Sequence, residues 1–120
     1  MNIDQFQVYC ESKKGVEATF PFGPDTLVYK VMGKMFALTG LDEVEVFTVN
    51  LKCDPEYAIE LRERHEDICP GWHMNKSHWN TVRFDGGLPG ALLTELIDLS
   101  YDLVVKSLTK KDRIILETLK

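Results

Sequence analysis

The residues whose types could do chemistry are concentrated in residues 71–80, which read Gly-Trp-His-Met-Asn-Lys-Ser-His-Trp-Asn. This segment holds two of the chain's three histidines and both of its tryptophans. Cys69, His73 and His78 offer zinc-binding atoms, but their spacing matches no zinc module and no second ligand pair follows. Acid–base catalysis by either histidine needs an orienting carboxylate and a cleft, and the sequence indicates neither. The segment therefore predicts no catalytic residue, no metal and no cofactor.

Two other interpretations of this segment stay open. In the first it is a binding rim, in which Trp72 and Trp79 supply apolar area while Asn75, Lys76 and His78 supply polar groups. In the second it is a structural hairpin whose tryptophans close one end of the core and whose indole N–H groups find carbonyl partners. The pattern fits both equally well.

The helices and strands that must position these residues follow from hydrophobic spacing. Helices are predicted over residues 3–13 and 55–66, then from Pro89 and from Thr109 onward. Strands are predicted over residues 17–22, 27–32, 35–39, 47–51, 71–74 and 79–85. The hairpin that joins the last two has two possible registers, one pairing Met74 with Trp79 and the other pairing Trp72 with Trp79.

Capping and turn residues set the limits of these elements. Asn2 and Gln5 form a capping-box pattern, and Asp54 followed by Pro55 is a strong helix start. Gly33-Lys34 separates two β-rich runs, which indicates a tight hairpin. The predicted order is α-β-β-β-β-α-β-β-α-α. Because strands follow one another directly, we expect an α+β two-layer sandwich with an antiparallel sheet of five to six strands and helices on one face. Residues 1–120 are predicted to form one domain.

Strand alternation assigns side chains to the two faces of this sheet. The residues predicted to face the helices are Leu27, Tyr29, Val31, Val82 and Phe84. The residues predicted on the uncovered face are Lys30, Thr48, Asn50, Lys52, Trp79, Thr81 and Arg83. Such a mildly basic, partly aromatic face suits a planar anion or a single-stranded nucleic acid. The same composition is also that of an ordinary solvated sheet face.

The amino-acid composition argues against several classes of protein. The net charge of −5 argues against a strongly basic nucleic-acid-coating protein, although a local basic patch is compatible with it. Three scattered cysteines do not form a disulfide framework and favour a reducing compartment. No apolar run approaches the length of a membrane span, and the first residues lack a signal-peptide pattern. A cytoplasmic protein that does not enter membranes is expected, and a monomer is the expected state.

Three segments of the chain resemble the MmcQ/YjbR-like family of small bacterial proteins. They are residues 29–38, residues 70–82 and residues 96–108, which together span most of the chain in the family's order. The resemblance implies an α-β-β-β-α-β-β-α two-layer domain. Members are often labelled DNA-binding because their fold is similar to a "double-wing" arrangement. The resemblance brings no catalytic set of residues.

The leading hypothesis is a non-enzymatic cytoplasmic binding domain, with DNA as the partner. Its predicted contacts are Lys30, Lys34, Lys52, Asn75, Lys76, His78, Trp79 and Arg83. The alternative is a pocket for a small anionic ligand or a protein partner, formed by Trp72, His73, Trp79 and Tyr101.

Overall fold

The computed structural model describes residues 1–43 and 45–119. Its helices are α1 (Ile3–Glu11), α2 (Pro55–Arg64), α3 (Gly90–Ser107) and α4 (Lys110–Thr118). Its strands are β1 (Val16–Thr19), β2 (Thr26–Val31), β3 (Lys34–Gly40), β4 (Thr48–Lys52), β5 (Ile68–Pro70) and β6 (Trp79–Arg83). The six strands form one antiparallel sheet in the order β1-β2-β3-β4-β6-β5. The predicted order of elements and the α+β class are confirmed.

The predicted helix starts are also confirmed. Asn2 accepts a hydrogen bond from the Gln5 backbone N–H, and the Gln5 side chain accepts one from the Asn2 N–H. Asp54 caps α2 through the Tyr57 N–H, with Pro55 as the first helical residue. These bonds satisfy amides that have no partner inside the helix. Among the described residues, no helix is both long and apolar enough to cross a bilayer.

The main core lies between the helices and the face of the sheet that they cover. At its centre Phe6 of α1 makes edge-to-face contacts with Tyr29, Phe47 and Phe84, at centroid distances of 5.6–5.7 Å. Leu27, Tyr29 and Val31 are buried there, as are Val82 and Phe84. The predicted inward set is therefore confirmed, and the remaining strand positions point to the opposite face, which we call the open face.

Helix α3 is tied to the sheet at a β-bulge. Tyr29 lies opposite Ala37 and Lys30 opposite Met35, so that Phe36 has no partner on β2. The bulge frees the Phe36 carbonyl, which accepts a hydrogen bond from the buried Ser100 hydroxyl of α3. The same hydroxyl accepts the Lys52 backbone N–H at 2.9 Å. One side chain thus satisfies two main-chain groups that the sheet leaves without a ladder partner.

Several predicted boundaries are wrong. Helix α1 ends at Glu11 rather than at residue 13, and β6 ends at Arg83 rather than at residue 85. The β2–β3 turn is Met32-Gly33, one residue earlier than expected, with positive φ at both positions as a type I′ turn requires. Strand β1 ends at Thr19 because the chain turns at Phe20, whose carbonyl accepts the Gly23 N–H. Helix α2 ends at Arg64 rather than at residue 66.

The predicted strand over residues 71–74 is also wrong. The partner of β6 is residues 68–70, and neither predicted hairpin register occurs. The last bond of this pairing runs from the Gly71 N–H to the Trp79 carbonyl, and the chain then leaves the sheet. Residues 71–78, which we call the Trp72 loop, form irregular structure and turns instead of a strand.

Candidate functional site

The middle of the open face carries a row of side chains that crosses the sheet. Val28 lies opposite Leu38, Leu38 opposite Asn50, Asn50 opposite Thr81, and Thr81 opposite Cys69. Directly opposed residues in an antiparallel sheet share a face. The apolar half of this row therefore lies on β2 and β3, and the polar half lies on β4, β6 and β5.

The Trp72 loop covers part of this face. Val28, Leu38 and Trp79 form a second, small hydrophobic cluster on the open side, and Met74 from the loop packs against it. Trp79 therefore lies on the predicted face but is only 8% exposed, and Val28 is fully buried. A Cβ added to Gly71 would lie 2.8 Å from the Trp79 Cβ and 2.9 Å from its carbonyl oxygen. The loop can approach this closely because residue 71 has no side chain.

Two polar side chains of the sheet hold the main chain of Trp72. The Trp72 N–H donates to the Thr81 Oγ1 at 2.9 Å. The Thr81 hydroxyl in turn donates to the Asn50 Oδ1, and the Asn50 amide donates to the Trp72 carbonyl at 3.5 Å. Asn50 and Thr81, predicted as outward-facing residues, thus anchor the loop to the sheet.

The second half of the loop is a compact turn. Asn75 accepts the Ser77 N–H on its side chain and the Trp79 N–H on its carbonyl. The His78 carbonyl accepts the Cys53 N–H, and the Lys76 ammonium donates to the Gly71 carbonyl. Bonds to Asn75 and from Lys76 therefore close the turn, and the His78 carbonyl ties it to Cys53 at the end of β4.

The first half of the loop forms one wall of a cavity of about 710 Å³ on the open face, which we call the open-face cavity. Its floor is the middle of the sheet. Its other walls come from the β1–β2 and β3–β4 connections. The lining residues are Phe22, Thr26, Leu38, Thr39, Gly40, Asp42, Glu43, Thr48, Asn50, Cys69, Trp72, His73, Met74 and Thr81.

The wall formed by the Trp72 loop is aromatic and conformationally restrained. Trp72 is 68% exposed, and its ring stands edge-on to the His73 ring at a centroid distance of 4.8 Å. His73 has φ +58°, in the left-handed region that non-glycine residues rarely occupy. Backbone strain of this kind tends to occur at functional sites. It makes this wall the best candidate for direct contact with a ligand.

The predicted basic residues do not form one patch. Lys30 and Lys52 lie at the same end of the open face, with Lys30 opposite Glu17 and Lys52 opposite Trp79. Arg83 lies at the other end, opposite Thr48, and its guanidinium contacts Asp85 at 2.9 Å. That hydrogen bond lowers the pKa of the Asp85 carboxyl.

Two further residues named from the sequence lie elsewhere. The Lys34 ammonium donates to the Ser107 carbonyl at the end of α3, at 3.1 Å. Tyr101 lies on α3, where its ring packs edge-on against Phe36 in the main core. Its hydroxyl donates to the Lys14 carbonyl. Tyr101 therefore belongs to the helical layer rather than to a pocket beside Trp72.

Strand alternation could not identify several cavity residues. Phe22 is 65% exposed on the β1–β2 connection, although its alternation with Phe20 had indicated a strand. Asp42 and Glu43 lie in the β3–β4 connection, where strand alternation cannot predict which way a side chain points. These residues reach the open face only because connections of irregular structure fold toward it. The run Gly40-Leu41-Asp42 contains glycine and aspartate, two turn-forming residue types, and is the one sequence signal that a connection begins there.

The three cysteines differ in environment, which gives a direct test of the site. Burial raises the pKa of the Cys10 thiol to about 12 and that of Cys53 to about 11, whereas Cys69 is exposed in the cavity wall. Because the thiolate is the reactive form, we expect iodoacetamide at pH 8 to label the native protein once, at Cys69. Intact-mass and peptide mass spectrometry would show this, with all three cysteines labelled in denaturant. Equal labelling of Cys10 in the native state would contradict the burial described.

A second concavity, of about 670 Å³, lies between α1 and the start of α3. Its lining includes Val8 and Tyr9 but none of the binding residues predicted from the sequence. Among the described residues, no three His, Cys, Asp or Glu side chains are grouped closely enough to hold a metal ion. The open-face cavity is therefore the stronger candidate site, since it combines aromatic, polar and strained residues.

Comparison with known proteins identifies the family. The model of the YjbR family matches residues 11–103. Among proteins of known sequence, the chain is 38% identical to "Uncharacterized protein YjbR" of Escherichia coli K12, over 94% of this chain and 95% of that protein. It is 41% identical to "Uncharacterized protein YbdF" of Escherichia coli O157:H7, over 82% of this chain and 80% of that protein.

Solved structures agree with this assignment. The crystal structure of Deinococcus radiodurans protein DR2400, described as a DUF419 domain, has a TM-score of 0.88 and 42% identity, covering 97% of this chain and 88% of that one. A crystal structure of a Pseudomonas syringae protein has a TM-score of 0.75 and 31% identity, covering 86% of this chain and 98% of that one. The chain belongs to the YjbR family.

Proposed function

We propose that this protein is a non-enzymatic binding domain that holds a small organic molecule in the open-face cavity. The volume of about 710 Å³ is within the usual range of ligand sites. Its lining combines four large apolar side chains with threonine, asparagine and histidine side chains and two carboxylates. Ligand sites need both kinds of group, since apolar area supplies affinity and polar groups fix the orientation of the ligand. The hydrogen bonds within it join Asn50, Thr81 and Trp72 and hold the wall in place.

The observation that carries this proposal is the combination of exposure and restraint at Trp72. Its side chain is 68% exposed, yet both its N–H and its carbonyl are bonded to side chains of the sheet. A large aromatic ring is thus presented to solvent on a fixed main chain. Fixing a contact residue in advance lowers the entropy that binding must overcome. The restraint of the Trp72 main chain is useful only if its exposed ring contacts a ligand.

A neutral probe tests the proposal. In ¹⁵N-labelled protein, titration with 2-phenylethanol should shift the Trp72 indole N–H resonance and leave that of buried Trp79 nearly unchanged. Trp72→Ala, followed through the Thr81 backbone amide because the indole reporter is absent, should weaken binding about tenfold, since one aromatic contact contributes roughly 1 kcal/mol or more. Phe20→Ala is the matched control, since Phe20 is an exposed aromatic beside Phe22 that does not line the cavity. Equal losses in both variants, or no saturable shift of Trp72, would contradict the proposal.

Nucleic-acid binding is the second candidate, and a different part of the open face favours it. Lys30 and Lys52 lie two strands apart, roughly 10 Å by the usual strand spacing. Lys76 donates to Gly71 beside Trp79, the residue opposite Lys52. We call Lys30, Lys52 and Lys76 the basic row. Cations in such a row can contact successive phosphates, whereas the two carboxylates of the cavity lie in the β3–β4 connection, beyond the opposite end of β4 from Lys52.

A matched pair of charge reversals tests this second candidate. A fluorescently labelled single-stranded DNA should show an increase in anisotropy at low salt when the protein is added. If the basic row binds this DNA, Lys30→Glu with Lys52→Glu should abolish the increase. Lys110→Glu with Lys111→Glu makes the same change in net charge on α4 and should preserve most of the binding. Equal loss in both variants would show that only net charge matters. No binding at low salt would remove the candidate.

A further inference from the structure

We infer that the open-face cavity selects an organic cation, namely an amine or quaternary ammonium group attached to a flat apolar group. This inference rests on the proposed function and concerns the charge of the ligand. The sequence had suggested an anion, because it placed Lys30, Lys52 and Arg83 on one face. The geometry of the cavity points to the opposite charge.

The first support is the aromatic walls. Phe22 and Trp72 stand on different connections, are 65% and 68% exposed, and both line the cavity. The face of an aromatic ring carries negative electrostatic potential and attracts cations, most strongly for tryptophan. Ammonium and quaternary ammonium ligands are commonly held between such rings. The same walls also offer apolar area to an uncharged part of the ligand.

The second support is the sign of the charged side chains. Asp42 and Glu43 line the cavity, and none of the lysines and arginines that the structure describes is among its lining residues. A Cβ added to Gly40, which forms part of the floor, would lie 3.1 Å from the Asp42 Oδ1. One carboxylate oxygen of the exposed Asp42 therefore lies close to the Gly40 backbone. Within the described part of the chain, neither carboxylate is in a salt bridge.

The third support is the location of the cations on the open face. Arg83 is paired with Asp85, so that its charge is already balanced. Lys30 and Lys52 lie at the opposite end of their strands from Thr26 and Thr48, which line the cavity. The net charge of −5 adds a general attraction for cations. Electrostatics around the cavity thus favour a positive ligand and disfavour a carboxylate or phosphate.

Three probes of similar shape and different charge test the inference. They are 2-phenylethylammonium, neutral 2-phenylethanol and the anion 3-phenylpropionate, titrated at pH 7.5 while the Trp72 and Trp79 indole N–H resonances are followed. We expect the cation to bind at least about fivefold more tightly than the alcohol, and the anion most weakly. Equal affinities, or a preference for the anion, would overturn the inference while leaving the cavity as a binding site. No shift of Trp72 with any probe would contradict the proposed function itself.

A charge-neutralising variant identifies the residues responsible. Asp42→Asn with Glu43→Gln keeps the size of both side chains and should reduce the affinity for 2-phenylethylammonium several-fold, leaving only the smaller preference over the alcohol that the aromatic rings supply. The affinity for 2-phenylethanol should not change, which shows that the cavity is intact. Glu56→Gln with Glu63→Gln, on the exposed side of α2, removes the same charge elsewhere and should leave both affinities nearly unchanged. A loss of cation affinity as large in that control would overturn the local role of Asp42 and Glu43.

Discussion

Replacing Gly71 with alanine is expected to lower the free energy of unfolding by about 2 kcal/mol and to displace the Trp72 loop from the sheet. The new Cβ would lie 2.8 Å from the Trp79 Cβ, 2.9 Å from the Trp79 carbonyl and 3.1 Å from the Met74 Cβ. None of these atoms is the flexible end of a side chain, so relief requires movement of the main chain. The bond from the Gly71 N–H to the Trp79 carbonyl would be strained or lost.

Urea denaturation would give the stability change, and the Trp79 indole resonance would report on its packing. Gly87→Ala is the matched control, since a Cβ there meets nothing within 4 Å, and it should change the stability by less than about 0.5 kcal/mol. Because the loop forms a wall of the open-face cavity, Gly71→Ala should also weaken probe binding. A variant with unchanged stability and an unchanged Trp79 resonance would show that the loop does not pack as described.

Ser100→Ala is expected to destabilise the protein by about 2 kcal/mol, although alanine is the better helix former. The hydroxyl donates to the Phe36 carbonyl and accepts the Lys52 N–H, and its removal leaves both main-chain groups without this partner. Ser100 is completely buried, so water cannot easily replace it. An unsatisfied buried polar group costs roughly 1–3 kcal/mol. The cost should therefore exceed the gain in helix propensity.

The control for this prediction is on the same helix. Ser107 is exposed, and its hydroxyl donates to the Val104 carbonyl within α3. Ser107→Ala should change the free energy of unfolding by less than about 0.5 kcal/mol. Hydrogen exchange gives a second readout, because Ser100→Ala should speed exchange of the Lys52 amide specifically. A Ser100→Ala protein as stable as Ser107→Ala would contradict the role of the bulge contact.

The architecture could be predicted because local signals and burial agreed along most of the chain. Asp54-Pro55 starts α2, and the alternation of Val49 and Leu51 with Thr48 and Asn50 defines the two faces of β4. In these segments each residue type fits both the local conformation and the side it faces. Agreement of this kind makes a prediction from sequence reliable.

The Trp72 loop could not be predicted, because its conformation depends on contacts distant in sequence. The Trp72 carbonyl accepts a hydrogen bond from Asn50, which is 22 positions away, and the Lys76 carbonyl accepts one from the Arg62 guanidinium. From the sequence, the two tryptophans could either line a binding rim or close one end of the core. In the structure, each of the two tryptophans takes a different position. Trp79 closes a small core and is 8% exposed, whereas Trp72 remains on the rim.

The charged side chains around the cavity could not be predicted either, because some of them lie in connections outside the strands. Strand alternation correctly placed Lys30, Lys52 and Arg83 on the open face. It could not show that Arg83 is paired with Asp85, or that Asp42 and Glu43 extend toward the same face from a connection. Strand alternation describes only residues within strands, and here the acidic side chains that line the cavity lie in a connection.

Intermolecular nuclear Overhauser effects test most directly whether the open-face cavity is the binding site. With 2-phenylethylammonium bound, we expect contacts from its ring protons to the Trp72 indole and the Thr81 methyl group, which both belong to the cavity lining. Contacts to Val8 and Tyr9 in the groove between α1 and α3, without any to Trp72 or Thr81, would contradict it.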